Sequence, residues 1–162
     1  MTNLIRFTGA AIFSGVTLVL LIVSISGNKW IFNDIEKSGL WGFCKHFCIG
    51  TSCSDICITY PIDGITNDKF HVIRAFACIA VFLATVGLIV AVVRMCKELN
   101  SKIVASCFLG AGISMIIALS MYTEQATNIM KLTGASYGWS YILGWISSVL
   151  CFVAMVTNCL VK

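Results

Sequence analysis

The chain has 162 residues, of which 59% are hydrophobic and 11% are charged, and its formal net charge is +4. Soluble domains carry about twice that share of charged residues, so the composition excludes an ordinary soluble protein. The basic excess is small and lies at the predicted membrane faces, where lipid headgroups account for it better than nucleic acid.

Four apolar segments dominate the chain, and each has close to the ~20 residues that cross a hydrocarbon core as a helix. The predicted spans are 4–26, 72–93, 103–123 and 139–161. Continuous rather than alternating apolarity indicates helices, which satisfy their own backbone polar groups in lipid. The sequence therefore predicts an all-α transmembrane four-helix bundle, a single domain over 1–162. Its loops are 27–71, 94–102 and 124–138. The first segment exceeds the ~7–15-residue core of a signal peptide, so we expect it to be a span.

The loop between the first two spans carries four of the nine cysteines, which are Cys44, Cys48, Cys53 and Cys57. An even cluster in a polar loop is typical of a disulfide-stapled segment in an oxidising compartment. Four cysteines allow three pairings, and their spacing does not choose among them. The alternative is a zinc site that includes His46. Structural zinc sites more often use Cys-x2-Cys than the Cys-x3-Cys found here, so we predict no metal.

A disulfide-bonded loop lies outside the cell, which places both chain termini in the cytosol. The basic residues on the side of the termini are Arg6, Arg94, Lys97, Lys102 and Lys162, against the single acid Glu98. Each side carries five basic residues, although the outer side has more acids than bases. The agreement with the positive-inside rule therefore rests on the short loops and span-flanking positions of the inner basic residues. We therefore expect a multi-pass plasma-membrane protein.

The first loop also contains short runs of aromatic and β-branched residues, at 30–32, 40–43 and 56–60. Turn-forming residues separate them, which predicts a small antiparallel sheet on the outer membrane face. Trp41 is expected to pack within this sheet or against the outer helix ends. Aromatic residues at span ends are expected in the headgroup region. They are Trp30, Tyr122, Trp139 and Tyr141.

Arg74 lies inside the second span, about one turn from its outer end. An intramembrane cation is costly, so we expect it to reach the outer interface and pair with Asp68, Glu124 or a loop carbonyl. In that position it would tie the sheet to the bundle, and we predict a structural anchor rather than a transport role.

Small residues recur along two spans. In the second span they follow alternating three- and four-residue steps, at Ala77, Ala80, Ala84, Gly87 and Ala91. In the third span they follow a strict four-residue repeat, at Ser106, Gly110, Ser114 and Ala118. Both patterns predict close helix packing. We expect this packing within the protein's own bundle, and the alternative is self-association through the stripe in the third span.

Two cysteines lie at the predicted cytosolic membrane face, Cys96 beside Arg94 and Lys97, and Cys159 near the last residue. Juxtamembrane cysteines are candidates for S-palmitoylation. Free thiols are the ordinary state, so each site has two interpretations.

Trp30, Gly39-Leu40-Trp41, Cys44 and Cys53 resemble the W…GLW…C…C signature of the claudin-like tetraspan superfamily. Arg74 at the start of the second span and the segment 137–145 make the chain most similar to the epithelial membrane protein, peripheral myelin protein and lens fibre membrane intrinsic protein branch. The resemblance implies a left-handed bundle, an extracellular sheet and a Cys44–Cys53 disulfide. Cys48 and Cys57 are additional to the family pattern, and we infer a second disulfide between them.

No nucleophile with a base, phosphate-binding loop or metal-ligand set is evident. We therefore predict a non-enzymatic protein without cofactors that has a structural or adhesive role at cell–cell contacts. The first loop would meet a partner on the facing membrane, while the helices associate laterally, as homo-oligomers or with other membrane proteins. One alternative is an accessory subunit that regulates another membrane protein, and another is a paracellular channel.

Overall fold

The computed structural model describes residues 2–33, 36–49, 52–59, 68–97 and 100–160, and for 2–5, 47–49, 52 and 53 it describes the backbone alone. The helices are α1 (Thr2–Ser26), α2 (Asp68–Val93), α3 (Ser101–Thr133) and α4 (Trp139–Leu160). The strands are β1 (Ile31–Phe32), β2 (Glu36–Ser38), β3 (Gly42–Ile49), β4 (Ser52–Thr59) and β5 (Ser136–Tyr137). Glu98 and Lys162, which enter the predicted charge asymmetry, lie outside the described residues.

All four helices are long and apolar enough to cross a membrane, which confirms the predicted transmembrane four-helix fold. Around the bundle, α1 packs against α2 and α4, and α3 packs against the same two helices. The sheet lies where α1 and α3 end and where α2 and α4 begin. We call this the sheet end of the bundle, and the other the opposite end.

Helix α3 is much longer than its predicted span. Its 33 residues extend over about 50 Å at 1.5 Å per residue, whereas the hydrocarbon core is about 30 Å thick. The fall in apolarity after Thr123 therefore marks the predicted membrane boundary and not the end of the helix. The helix ends only at Gly134, whose φ of 64° gives a left-handed cap with its N–H bonded to the Met130 carbonyl. Most of the predicted loop 124–138 is thus helical.

The sheet is antiparallel with the strand order β4-β3-β2-β1-β5. Strand β5 comes from the short segment between α3 and α4, and it pairs with β1 through Ile31 opposite Tyr137 and Phe32 opposite Ser136. The sequence predicts strands in the first loop alone, because a two-residue strand has no periodic pattern to detect. Both loops at this end therefore contribute to one sheet.

The small residues of α2 lie on its buried face. Ala77, Ala80, Ala84, Gly87 and Ala91 are all buried. At Gly87 a Cβ would lie 3.0 Å from Cε2 of Phe108 and 3.1 Å from Cβ of Cys107. The buried Phe108 ring thus packs directly on the α2 backbone, and the seam holds α2 against α3 within one chain.

The four-residue repeat of α3 behaves differently. Ser114 and Ala118 are buried, Gly110 is half-buried and Ser106 is exposed. Each residue turns an α-helix by about 100°, so a strict four-residue step advances the position by about 40° around the axis. The stripe therefore passes from the outside of the bundle into its interior and does not form a single outward face.

Candidate functional site

The Gly39-Leu40-Trp41 triplet lies between β2 and β3 and joins the sheet to the end of α1. The Leu40 side chain is fully buried, and Nε1 of Trp41 donates a hydrogen bond to the Ile25 carbonyl oxygen over 3.0 Å. A Cβ at Gly39 would lie only 2.8 Å from the Gly27 carbonyl oxygen, so a larger residue would push the sheet away from α1. The triplet is therefore a docking element between sheet and helices.

Trp30 lies at the centre of an aromatic cluster beneath the sheet. Its Nε1 donates to the Ser24 carbonyl oxygen over 2.8 Å, and its ring centroid lies 4.7 Å from that of Tyr122 and 6.1 Å from that of Tyr141, both edge-on. All three rings are buried, so the prediction that they face lipid headgroups is wrong. The sheet covers the helix ends here and makes these rings part of the core. The fourth ring of that prediction, Trp139, is 50% exposed.

Arg74 connects α2 to the docking triplet. Its Nε donates to the Leu40 carbonyl oxygen over 3.0 Å, and its guanidinium lies 5.4 Å from the Trp41 ring centroid. The residue is only 7% exposed. Of the partners considered from sequence, a loop carbonyl is the one observed, while Glu124 lies 3.4 Å from Lys69 instead. The buried cation thus fixes the sheet to α2 as Trp41 fixes it to α1.

Side chains alternate between the two faces of the β3–β4 hairpin. Trp41 contacts the helix ends, so every second residue after it lies on the face that looks towards the helices. These residues are Phe43 and Lys45, and Ile58 and Ile56 lie opposite them on β4. We call this the helix-side face, and it is mainly apolar.

The outer face of the sheet carries charges of both signs. Nζ of Lys37 lies 3.7 Å from Oδ2 of Asp55, and Nδ1 of His46 is hydrogen-bonded to Oδ1 of the same carboxylate. The hydrogen bond from His46, followed by the charge of Lys37, lowers the pKa of Asp55 below its ordinary value of 3.8. All three side chains are about half exposed, so this cluster is open to solvent.

The disulfide of the sheet joins Cys44 to Cys57, with their Cα atoms 4.0 Å apart. The predicted Cys44–Cys53 and Cys48–Cys57 pairings are therefore wrong. The hairpin register explains the difference, because it places Cys44 directly opposite Cys57, whereas Cys53 is four residues away along β4. Cysteines can bond only when their Cα atoms lie within about 7 Å.

The same register places Cys48 opposite Cys53, although their side chains lie outside the described part of the chain. The Cys44–Cys57 and Cys48–Cys53 pairs are four residues apart along each strand. Because side chains alternate between the faces, both pairs lie on the same face of the hairpin. We therefore expect this pair to close the second disulfide. Non-reducing peptide mapping that joins Cys48 to any other cysteine would contradict this expectation.

Cys96 and Cys159 are exposed free thiols at the opposite end of the bundle. Cys96 lies in the turn after α2, and Cys159 lies in the last turn of α4. Their position is compatible with S-palmitoylation, which remains a prediction.

Within the described residues, no group of three or more His, Cys, Asp or Glu side chains is arranged to hold a metal ion. The zinc alternative required His46 together with the loop cysteines, and Cys44 and Cys57 are instead joined in a disulfide. The arrangement around His46 is therefore an ion-pair cluster beside a disulfide.

Two features of this end were not predicted from the sequence. Strand β5 places Tyr137 so that its ring stacks on Tyr141 at a centroid distance of 4.4 Å. The following residue, Gly138, lies against the Lys29 backbone and donates its N–H to the Trp30 carbonyl oxygen over 2.9 Å. The sequence indication for both features is the Tyr-Gly-Trp order of 137–139, in which a glycine stands between two aromatic residues immediately before a span.

Similarity to known proteins extends over nearly the whole chain. The family model described as the PMP-22/EMP/MP20/Claudin family matches residues 3–156. Epithelial membrane protein 1 of Homo sapiens is 27% identical over 93% of this chain and 92% of its own length. Lens fiber membrane intrinsic protein of Bos taurus is 25% identical over 91% of this chain and 87% of its own. Claudin domain-containing protein 2 of Mus musculus is 27% identical over 91% of this chain and 81% of its own length.

The match covers all four helices and the sheet, and the structure docks the sheet through the same Trp30, Gly39-Leu40-Trp41 and Arg74 that carry the resemblance in the sequence. The chain therefore belongs to the PMP-22/EMP/MP20/Claudin family of four-span membrane proteins.

Proposed function

We propose that this protein is a non-enzymatic structural protein of the plasma membrane that contributes to cell–cell contacts through the outer face of its sheet. The sheet lies outside the cell and both termini lie in the cytosol. A four-span bundle from this family fits a structural role in the membrane, and the sheet supplies the surface for a partner.

Two observations support this orientation. The Cys44–Cys57 disulfide requires an oxidising compartment at the sheet end. At the opposite end, Arg94, Lys97 and Lys102 flank α2 and α3, where basic residues favour the cytosolic side.

The observation that carries the proposal is a rigidly held sheet with an exposed, charged outer face. Lys37, His46 and Asp55 form one ion-pair cluster on this face, and Phe32, in the row of Lys37, is 43% exposed. Charges of both signs on one patch allow two copies of the patch to pair their opposite charges when related by a two-fold axis. A copy on the facing membrane is therefore a suitable partner.

Lateral association is the second part of the proposal. The exposed part of the α3 stripe, Ser106 with the half-buried Gly110, offers small side chains where a neighbouring helix can approach closely. Such a helix belongs either to a second copy or to another membrane protein that this chain would regulate. Crosslinking with mass spectrometry separates the two, since self-crosslinks favour the first and a reproducible foreign protein favours the second.

A paracellular pore has less support from the charges. A charge-selective pore needs an unpaired line of one sign, whereas Asp55 lies beside Lys37 and Glu36 lies 3.9 Å from Lys45. Unchanged ion permeability across an expressing epithelial layer would agree with the structural role.

Aggregation of non-adherent cells tests the contact role. Cells that express the full chain should cluster, and the variant with Lys37→Ala and Asp55→Ala should cluster much less, because it loses the outer ion pair. The matched control is Lys45→Ala with Glu36→Ala, which removes an ion pair from the helix-side face and should cluster like the unaltered protein. Surface labelling confirms equal expression. If expressing cells cluster no more than mock cells, or if both variants lose clustering equally, the proposal fails.

A further inference from the structure

One row of side chains on the helix-side face runs across the whole sheet. The register aligns Tyr137, Ile31, Ser38, Phe43 and Ile58 in neighbouring strands. Exposure increases along this row, from 6% at Ile31, through the half-buried Phe43, to 50% at Ile58. From Ile31, which lies in the core, the row therefore runs outwards to the exposed Ile58.

The dimensions of the sheet agree with this gradient. Strand β4 is three strand spacings from β1, a lateral distance of about 14 Å. Neighbouring helices pack with their axes only about 8–10 Å apart. With helices about 10 Å across, the edge of the bundle lies about 10 Å from its centre. Trp30 and Ile31, at the start of β1, are buried in the core, so a sheet anchored there carries its β3–β4 hairpin beyond that edge.

The two faces of this overhanging hairpin differ in chemistry. The outer face carries Lys37, His46 and Asp55. The helix-side face carries Phe43 with Ile56 and Ile58, which are 51% and 50% exposed. A hairpin with water on both sides has no need for an apolar face, and exposed apolar patches mark contact surfaces. Among the described residues of this face, Ile56 and Ile58 are the most exposed apolar side chains.

The position of the face identifies what covers it. Trp41 and Arg74 fix the helix-side face towards the ends of α1 and α2, and those helices span the membrane. Beyond the bundle edge, we expect the same face to look onto the bilayer, because the four helices are long and apolar enough to cross one.

Lys45 lies beside the apolar residues of the helix-side face. Its Nζ lies 5.9 Å from the Phe43 ring centroid and 3.9 Å from Oε2 of Glu36. Aromatic residues combined with a lysine, whose stem is apolar and whose head stays in the polar layer, are typical of the membrane–water interface.

We propose that the helix-side face of the β3–β4 hairpin rests in the headgroup layer of the outer leaflet, with Phe43, Ile56 and Ile58 in contact with phospholipid. The contact holds the overhanging hairpin against the membrane and leaves its charged outer face directed away. It is independent of the proposed contact role, because it needs neither a partner cell nor a second copy.

Site-specific photocrosslinking tests the proposal. The photoreactive amino acid p-benzoylphenylalanine replaces Phe43 or Ile56 in the full chain, reconstituted into vesicles of phosphatidylcholine and phosphatidylserine. The matched control is the same replacement at Phe32, whose exposure of 43% is close to the 51% of Ile56 but which belongs to the outer face. Variants whose size-exclusion profile matches the unaltered protein are irradiated, and mass spectrometry identifies the adducts.

We expect phospholipid adducts at positions 43 and 56 at a level several-fold above those at position 32. Equal lipid adducts on both faces, dimer crosslinks in place of lipid, crosslinks to residues 60–67 of the same chain, or no adducts at all would each overturn the proposal. A second measurement uses the unaltered protein with a diazirine reagent dissolved in the bilayer. Labelling of Ile56 and Ile58 without labelling of Phe32 is expected, and the reverse pattern would contradict the lipid contact even if the substituted chains fail to fold.

Discussion

The two ends of α2 each hold an arginine that reaches a backbone carbonyl and an aromatic ring, yet the two side chains have different tasks. Arg74 donates to the Leu40 carbonyl and lies 5.4 Å from the Trp41 ring. Arg94 donates to the Asn158 carbonyl over 3.2 Å and lies 4.9 Å from the Phe7 ring. The first attaches a sheet to helices, while the second attaches helices to one another. The same combination of a carbonyl and a ring therefore docks the sheet at one end and packs helices together at the other.

The surroundings of the two arginines explain this difference. At the sheet end, the buried rings of Trp30, Tyr122 and Tyr141 form the core. At the opposite end, a polar contact joins α1 to α4, in which Nδ2 of Asn158 donates to Oγ of Ser14 over 3.1 Å. Burial of large rings stabilises more than a hydrogen bond between membrane helices, which averages only about 0.6 kcal/mol. We therefore expect substitutions at the sheet end to have the larger effects.

The largest effect is expected for Trp30→Ala, which empties the centre of the aromatic cluster. Replacing a buried aromatic residue by alanine costs about 3–5 kcal/mol. The free energy of unfolding is measured by SDS titration of the purified protein, followed by far-UV circular dichroism. Trp139→Ala is the control, because Trp139 is 50% exposed and its loss should cost well under that amount. Equal losses would contradict a core beneath the sheet.

Gly39→Ala should reduce the free energy of unfolding by about 1–3 kcal/mol, the usual effect of overpacking. Its Cβ would lie 2.8 Å from the Gly27 carbonyl oxygen and 2.9 Å from Cα of Asn28. Gly15→Ala is the matched control, since a Cβ built there has no atom within 4 Å apart from its chain neighbours and the nearby backbone of its own helix. Hydrogen exchange should increase in β1–β3 for the Gly39 variant alone, and unchanged exchange would refute tight docking of the triplet.

Arg74→Met and Arg94→Met compare the two ends directly. Loss of Arg74 removes a partner of the buried Leu40 carbonyl, which we expect to cost about 1–3 kcal/mol, and exchange should rise in the sheet. Arg94 is half-buried, so its loss should cost less and should raise exchange at the ends of α1 and α4. If both variants loosen the same region, the two arginines do not have separate tasks.

The smallest effect is expected from pH at the outer face. Because the pKa of Asp55 is lowered from 3.8, its ion-pair cluster stabilises the folded hairpin above pH 3.8 and is lost as the pH falls through the lower folded value. The contacts of Arg94 named above involve a carbonyl and a ring, neither of which titrates. Carboxyl carbon NMR should give Asp55 a midpoint below 3.8, which His46→Gln should return towards 3.8. If Asp55 titrates with a midpoint at 3.8 in both the unaltered protein and the His46→Gln variant, the ion-pair cluster does not make the sheet end sensitive to pH.

The sequence predicts the helices well because the physics of a membrane span is local. A run of about 20 apolar residues needs no knowledge of the rest of the fold, and all four predicted runs are helical over their described residues. The alternating steps from Ala77 to Ala91 average 3.5 residues, which keeps them on one side of a helix, and all five residues are buried. The strict four-residue step in α3 does not keep its residues on one side of the helix. The spacing alone already implied that the stripe rotates around the helix axis.

The sheet end is harder to predict because its contacts are distant in sequence. The bond between Cys44 and Cys57 depends on the register of β3 with β4, and cysteine spacing does not reveal that register. The burial of Trp30 depends on Tyr122 and Tyr141, which come from two other helices. The identity of the docking residues was visible in their family pattern, whereas their partners became visible only in the folded chain.

Strand β5 has a consequence for biosynthesis. Proteins are made from the N-terminus, so β1 to β4 leave the ribosome long before Ser136 and Tyr137 exist. Until the fourth helix is being inserted, β1 has an unpaired edge, and unpaired edges invite aggregation. Completion of the sheet thus requires that the chain has been synthesised as far as Tyr137 and that α3 has been inserted.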